Sequence, residues 1–414
     1  MHLILDIAVT HLIHRKRQTL VSVLGVAMGV GFFIAMAAMM QGFQRYFVAK
    51  IIDVSPHIIM KDEYRTPPRQ PVELKYAEGA VRLFNLRPRE ERRGIKNGMA
   101  VIDAIARQPG VAVAPTLAGQ IFLRYGTKDL SATLYGIDPD KERRVTFLEQ
   151  DLIAGSLNGL HTTANGIILG SGLADKIGVS LGDTLSVISP AGVILKMKVV
   201  GVFRSGITAK DNYESFTLLK KAQILQDRAN VINQIRIRLG DINQAAALAR
   251  SLEVRYDYRT ESWEETNKNV LGIFVIQNGI MYSTVSAILI VAAFGIFNII
   301  TTVIHEKEHD IAILKSIGFD EGAIRGIFLL EGLAVGVIGT LIGWALGYGL
   351  TELLATVRFS IEGFVKSEGF VLYYTFKHYL IAGCFALIAS LAASYLPARK
   401  AAAVNPVDII RGGV

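Results

Sequence analysis

Four long apolar segments divide the chain unevenly. Gln18–Met40 comes first, and Val270–Ile304, Ile324–Val357 and Tyr373–Pro397 follow in quick succession after a long mixed stretch. A bilayer core of about 30 Å needs roughly 20 apolar residues in a helix, and each segment supplies them. The pattern predicts an α-helical membrane protein with four transmembrane helices and a large extracytoplasmic α+β domain inserted between helices 1 and 2. Val270–Ile304 exceeds what the hydrocarbon needs. Its first turns, with Gln277 and Asn278, are expected to stand out of the membrane as a stalk, unless the chain breaks near Asn278-Gly279.

Between Phe43 and Asn269 the period shortens. Gln120–Tyr125 and Ser131–Gly136 flank Gly126-Thr127-Lys128-Asp129, the pattern of a hairpin. Gly166–Leu169, Thr184–Ile188 and Val193–Phe203 are further β-rich runs, and Ser189-Pro190-Ala191-Gly192 is a tight turn between the last two. Phe216–Leu219 and Gln234–Leu239 add strands; Leu173–Ile177 with Gly178 as its stop, Lys221–Arg228 and Asn243–Leu252 add helices. The domain is expected to have two lobes. Gly170-Ser171-Gly172 lacks the third small residue of a dinucleotide loop and reads as a helix start. Thr66–Gly98, rich in Pro and Arg, reads as a solvated insertion.

Charge sets the orientation. His14-Arg15-Lys16-Arg17 precedes the first span, and Arg399, Lys400 and Arg411 follow the last. Short Lys/Arg-rich flanks stay cytoplasmic, and long domains translocate whatever their charge. Both termini are therefore expected in the cytoplasm and the Phe43–Asn269 domain across the membrane. Gln18–Met40 is too long for a signal peptide, and Met40-Gln41-Gly42-Phe43 offers no cleavage site. The net charge of +8 comes without an aromatic-interleaved basic motif, which argues against nucleic acid as a partner. The single cysteine, Cys384, excludes an intrachain disulfide.

Within the spans, small residues recur every fourth position: Gly25/Gly29, Gly332/Gly336 and Gly339/Gly343/Gly347. Such faces bring helix backbones close in lipid, within a subunit or between subunits. Glu331 is an acid inside the third span, a functional candidate or a partner for Arg325 or Lys315. Phe32, Phe33, Met36, Met39, Met40 and Phe43 crowd one half of the first helix. Flexible Met and aromatic surfaces suit varied apolar ligands, and ordinary packing uses the same residues.

His305-Glu306-Lys307-Glu308-His309 matches H-E-x-x-H, the spacing that places two His on one helical face toward Zn²⁺. With Glu331 as a third ligand it would make a membrane protease. The surroundings argue otherwise: the motif lies in a charged segment, and Ile311, Leu314 and Ile317 follow as an apolar stripe stopped by Gly318. That is the pattern of an amphipathic docking helix.

Glu306-Lys307-Glu308-His309-Asp310-Ile311-Ala312-Ile313-Leu314-Lys315-Ser316-Ile317-Gly318, with Ile327–Gly332 after it, resembles the coupling-helix region of FtsX/macrolide-exporter-type ABC permeases. Met40–Arg45 through Ser55-Pro56-His57 is similar to the lipoprotein-releasing (Lol) branch. Further similar landmarks are Ile168–Gly170 through Gly182-Asp183, Val199–Phe203, Ser262-Trp263 through Asn269, and Asn405-Pro406-Val407-Asp408. The resemblance covers nearly the whole chain.

It implies a permease subunit, not an enzyme, that extracts lipoproteins from the outer leaflet of the bacterial inner membrane. Its implied partners are two copies of an ABC ATPase, a second permease copy or paralogue, lipoprotein cargo, and a periplasmic chaperone or a membrane-fusion protein. Glu306, Glu308, His309, Asp310, Ile311, Leu314, Lys315 and Gly318 would meet the ATPase. Phe32, Phe33, Met36, Met39, Met40, Phe43 and Phe274 would line an acyl-chain cavity. The implied segments are a cytoplasmic N-terminal segment 1–17, spans 18–43, 270–304, 324–357 and 373–397, and a periplasmic domain 44–269. A coupling helix 305–323, a periplasmic loop 358–372 and a cytoplasmic tail 398–414 complete them. No G-x-x-x-x-G-K-[ST] loop occurs, so the chain itself is expected to hold no cofactor, ATP and Mg²⁺ being bound by the partner ATPase. One paralogue of the resembled family carries an extended chaperone hook where this chain has only Ser189–Gly192. The alternatives are a tripartite exporter of glycolipid or drug, an FtsX-like mechanotransducer, and the zinc protease.

Overall fold

The computed structural model describes residues 7–62 (9 and 11 excepted), 94–357, 360–362 and 366–405. The stretch Thr66–Arg93, Pro406–Asp408 and Arg411 lie outside the described residues. In chain order the main elements begin with α1 (Lys16–Val54), β1 (Ile58–Lys61), α2 (Gly98–Ala106), β2 (Val111–Tyr125), β3 (Lys128–Ile137) and α3 (Pro139–Val145). Next come β4 (Leu152–Gly155), β5 (Gly166–Gly170), α4 (Ser171–Ile177), β6 (Thr184–Ile188), β7 (Ile194–Phe203), β8 (Glu214–Leu218) and α5 (Leu219–Leu225). They continue with β9 (Gln234–Leu239), α6 (Ala245–Tyr256), β10 (Arg259–Ser262), α7 (Trp263–Thr266) and α8 (Lys268–Glu306). The chain closes with α9 (Glu308–Ser316), α10 (Glu321–Thr356), β11 (Ser360–Glu362), β12 (Lys366–Glu368) and α11 (Phe376–Ala402). The fold divides into a helical unit, Met1–Tyr46 with Gly272–Ser360 and Ser367–Val414, and a sheet unit, Phe47–Leu271 with Ile361–Lys366.

In the helical unit, α1, α8, α10 and α11 are each long and apolar enough to cross a membrane. Their small-residue faces are spent within the subunit. Gly339, Gly343 and Gly347 of α10 lie against Val26, Val30 and Ile34 of α1, and Gly332 and Gly336 lie against Ser394 and Ser390 of α11. Gly25 and Gly29 of α1 face Ala292 and Leu289 of α8. Without side chains at these points the helices approach closely enough for dispersion to hold them.

Several boundaries differ from the sequence expectation. α1 does not stop at residue 43 but continues to Val54, because Phe47, Ile51 and Val54 are buried and keep a packed face going. α8 runs 39 residues without a break at Asn278-Gly279, about 58 Å at 1.5 Å per residue. Gln44 Nε2 donates to Asn278 Oδ1 at 3.1 Å, tying α1 to that stretch. The helix within 305–323 is shorter than expected, Glu308–Ser316. The 358–372 stretch contains the paired strands β11 and β12. Pro397 does not end α11; buried Ala398, Ala401 and Ala402 carry the helix to Ala402 despite the missing N–H.

The sheet unit has a closed element. β2 pairs β3, β3 pairs β8, β8 pairs β5, β5 pairs β7, β7 pairs β6, and β6 returns to β2. This ring of strands surrounds a core that includes Leu117, Ile121, Leu134, Leu169, Val187 and Met197. Closure removes the exposed edges that would otherwise pair with other chains. The first half of β2 (Val111–Thr116) instead pairs β9, which continues through β1 to β10. A second core lies on this side, with Ile58, Met60, Ile235 and Ile237 packed against Ile102 and Ile105 of α2 and Leu252 of α6. The two expected lobes thus share one long strand. Ile95, at the end of the basic insertion, is buried in this second core.

The hairpin turn is tighter than the four-residue loop expected: β3 begins at Lys128, leaving Gly126-Thr127 between the strands. Gly178 ends α4 with φ 84°, a left-handed conformation that glycine adopts without a Cβ clash. β6 and β7 are joined across Ser189–Val193, with Gly192 at φ 82° and its N–H on Ser189 O.

Candidate functional site

The segment that follows α8 is built around a break. Lys307, with φ −109° and ψ 9°, separates α8 from α9. His305 therefore ends one helix and His309 lies in the next, so the i, i+4 face that an H-E-x-x-H zinc site needs is not formed. His305 Nδ1 lies 2.9 Å from Glu308 Oε1, and Glu306 pairs with Arg15. Lys307 pairs with Asp310 on the following turn.

α9 turns Ile311 and Ala312 inward, both buried, with Leu314 packed partly against the same core. Ile317 does not continue that stripe. It is the C-cap of α9 and 72% exposed, because Gly318 reverses the chain with φ 111°. Ile313 is 41% exposed, and with exposed His309 it continues the outward line at i, i+4 spacing. Sequence spacing places Ile317 on the stripe with Ile311 and Leu314 and does not single out Ile313, because the turn at Gly318 that exposes Ile317 has no part in helical periodicity.

Lys315 is held inside the unit. Its Nζ donates to Ala402 O at 2.7 Å and Val404 O at 2.8 Å, the open carbonyl end of α11. A cation there completes the hydrogen bonds a helix C-terminus lacks and complements its dipole. It is accordingly a cap for α11. Glu331 is buried in α10 and borders a small internal pocket with Arg15, Thr19 and Ser22. Glu306, Asp310 and Gly318 are exposed and Glu308 is half-buried.

The apolar cluster separates into two sets. Phe33 and Met40 are buried in the helical core, Phe33 beside Tyr282 with ring centroids 6.3 Å apart. Phe43 meets buried Phe274 edge-to-face at 6.3 Å. Phe32 is instead 47% exposed and continues Met28 on the outer line of α1; Met36 and Met39 are half-buried. Phe32 thus stands at the surface, Met36 packs partly against the core, and Phe33 and Met40 hold α1 in place. Gly42, between these residues, accepts no side chain: a Cβ would meet Val371 O at 2.0 Å.

In the sheet unit, β-register gathers polar groups on one face. Ile59 pairs Arg236, Lys61 pairs Gln234, and Tyr135 pairs Phe216. Paired residues point to the same side, so these line one cavity of about 290 Å³, walled also by Asp151, Lys210, Glu214 and Trp263. Arg236 Nη1 donates to Glu142 Oε1 at 2.7 Å, and its guanidinium lies 4.3 Å over Tyr135. Burial works to lower the Arg236 pKa, but Glu142, Tyr135 and Glu214 outweigh it and keep the guanidinium charged. Burial, reinforced by Glu214, pushes the Tyr135 phenol up to about 12. Asp151 is also raised, first by burial, with Lys50 and Lys210 opposing.

Residues 19–254 match the family model of the MacB-like periplasmic core domain, and residues 282–406 match the FtsX-like permease C-terminal model. The first match covers more than half of the chain. The chain belongs to this family of ABC transporter permeases. It is 27% identical over 417 residues to the lipoprotein-releasing system transmembrane protein LolC of Neisseria meningitidis, covering 95% of this chain and 94% of that protein. The uncharacterized ABC transporter permease YknZ of Bacillus subtilis is 23% identical, with 98% and 97% coverage. The macrolide export ATP-binding/permease protein MacB of Psychrobacter arcticus is 22% identical, covering 95% of this chain but 57% of that protein. Among solved structures, the periplasmic region of MacB from Actinobacillus actinomycetemcomitans matches 54% of this chain and 97% of its own, at 14% identity and TM-score 0.34.

The chain is therefore a multi-pass membrane permease of the ABC class, with four apolar helices and a sheet-rich MacB-like domain. This family works with an ATPase.

Proposed function

We propose that this chain is the permease subunit of a transporter that releases lipoproteins from the outer leaflet of the inner membrane, driven by a separate ATPase. The observation that carries the reading is the near end-to-end match to proteins named for lipoprotein release, 94% of the Neisseria chain. In this reading both termini and α9 are cytoplasmic, and the sheet unit lies on the far side, as the Lys/Arg flanks favour. The ATPase docks on the outward line His309, Ile313 and Ile317 together with Asp310. In cytosol, exposed isoleucines gain by being covered. Ile311, Leu314 and Lys315 act behind that face by holding α9 to the bundle. Phe32 and Met36 offer apolar surface to acyl chains, and a second permease copy or paralogue completes the cavity. The short Ser189–Val193 connection favours the paralogue without a chaperone hook.

The test is mass spectrometry of what co-purifies with the tagged chain from native membranes without ATP. An ATPase with acylated lipoproteins is the expected result. An ATPase with a membrane-fusion protein and no lipoprotein would replace the reading with a tripartite exporter, and no ATPase at all would overturn both.

A further inference from the structure

The polar end shared by α10 and α11 has no part in the transport reading. Trp344, Tyr348 and Glu352 follow one another four residues apart on α10. That spacing puts them on one face, over about 12 Å at 1.5 Å per residue. The start of α11 meets this face. Trp344 packs edge-on against Phe376 and Tyr379, with ring centroids 6.3 and 6.2 Å away, and its indole N–H donates to Tyr379 O at 3.0 Å. Tyr374, just before α11, donates its hydroxyl hydrogen to the Glu352 carboxylate, and Tyr348 and Tyr379 neighbour it.

Rings at the polar ends of spans usually act singly, as anchors in the headgroup layer. Here they gather around one carboxylate. Tyr348, Tyr374, Phe376 and Glu352 are all exposed, so the cluster faces outward and not into the bundle. One tyrosine hydroxyl leaves most of a carboxylate open, since its two oxygens accept about four hydrogen bonds. The cations of this end do not fill the rest. Arg45 lies over the Tyr373 ring, 3.8 Å from its centroid, and Lys377, exposed on the first turn of α11, makes no ion pair among the described residues. An open carboxylate flanked by aromatic rings attracts an ammonium through its charge and through the ring faces together. Phe376 and Leu380 extend the surface with exposed apolar side chains, which a soluble amine would leave bare and a lipid chain would cover.

We propose that this face binds an aminophospholipid of the surrounding bilayer. The headgroup ammonium sits against Glu352, Tyr348 and Tyr374, the phosphate meets Lys377, and an acyl chain runs along Phe376 and Leu380. The inference needs only that α10 and α11 cross the membrane, and it stands whatever the cargo.

The test is native mass spectrometry of the full-length chain in detergent, titrated with phosphatidylethanolamine, its N-acetylated form and phosphatidylglycerol. Phosphatidylethanolamine is expected to bind about fivefold or more tighter than the acetylated lipid. Glu352→Gln and Tyr348→Ala, both at exposed positions, should each reduce that preference toward equality while the melting temperature stays near that of the parent chain. Phe294→Ala, which removes an exposed ring of α8, should leave the preference intact. Equal binding of the acetylated lipid by the parent chain would overturn the proposal. So would phosphatidylglycerol binding as tightly as phosphatidylethanolamine, which would assign an anionic lipid held by Lys377 instead. A preference unchanged by both Glu352→Gln and Tyr348→Ala would remove the site from this face.

Discussion

Gly343 of α10 lies so close to Val30 of α1 that a Cβ at 343 would stand 2.6 Å from the Val30 Cβ and 3.0 Å from Ala27 O. Neither neighbour can yield, since Val30 is β-branched on a helix and the carbonyl belongs to its backbone. Gly343→Ala is expected to destabilise the helical unit by about 1–3 kcal/mol through overpacking. Gly349→Ala, where a Cβ meets nothing within 4 Å, is the control. Thermal unfolding in one detergent should separate the two; equal melting temperatures would reject the close packing.

Lys315 and the outward face of α9 separate stability from coupling. Lys315→Met removes two charged hydrogen bonds at the end of α11, a loss of about 2–4 kcal/mol at 1.5–3 kcal/mol for each such bond, partly offset by solvent. It should lower the melting temperature. Ile313→Asp and Ile317→Asp touch exposed positions and should leave the melting temperature unchanged, while reducing permease-dependent ATPase stimulation and pull-down of the ATPase. If either exposed variant unfolds the unit, the face is structural instead.

Adjacent phenylalanines are expected to behave differently. Phe33→Ala empties a buried position in the core of the helical unit and should cost about 3–5 kcal/mol. Phe32→Ala removes an exposed ring and should leave folding intact, but reduce cargo release and acyl-chain crosslinking at that site. Unchanged release with Phe32→Ala and Met36→Ala together would remove both from the cargo path.

His57 makes the sheet unit sensitive to acid. Its buried ring accepts a hydrogen bond at Nδ1 from Leu239 N at 3.2 Å. Burial first, and Arg238 second, hold its pKa below the ordinary value near 6.5. The unfolded chain therefore takes up a proton below about pH 6.5 that the folded chain does not. Stability is unaffected above that pH and falls as pH drops from 6.5 toward the lowered folded value. His57→Asn keeps an acceptor for Leu239 N without titrating. Unfolding followed between pH 7.5 and 5.5 should show a shallower loss in this variant than in the parent.

The four apolar runs, the β-branched runs and the turn glycines determined the main elements from sequence alone, because a 20-residue apolar helix, a period of two and a left-handed glycine are local requirements. The Gly339/Gly343/Gly347 spacing likewise announced a close helix contact. Only the tertiary structure decided that α1 is the partner. A small-residue face states what it needs and not which neighbour supplies it. The same limit explains Lys315: its charge was visible beside a docking stripe, but the α11 carbonyls it caps lie 87 and 89 residues away in the chain.

The closed ring was beyond sequence reading because β2 divides its length between β9 and β6, a choice made by side-chain packing on two cores. The α9 stripe was legible as amphipathic, yet which isoleucines face out depended on the break at Lys307 and the reversal at Gly318. The charged cavity in the sheet unit had no local signal at all. Ile59, Tyr135, Asp151, Glu214 and Arg236 are scattered in the chain, and only β-register and folding bring them to one face. Periodicity along a chain specifies elements and their apolar sides, whereas long-range pairing decides which polar groups meet.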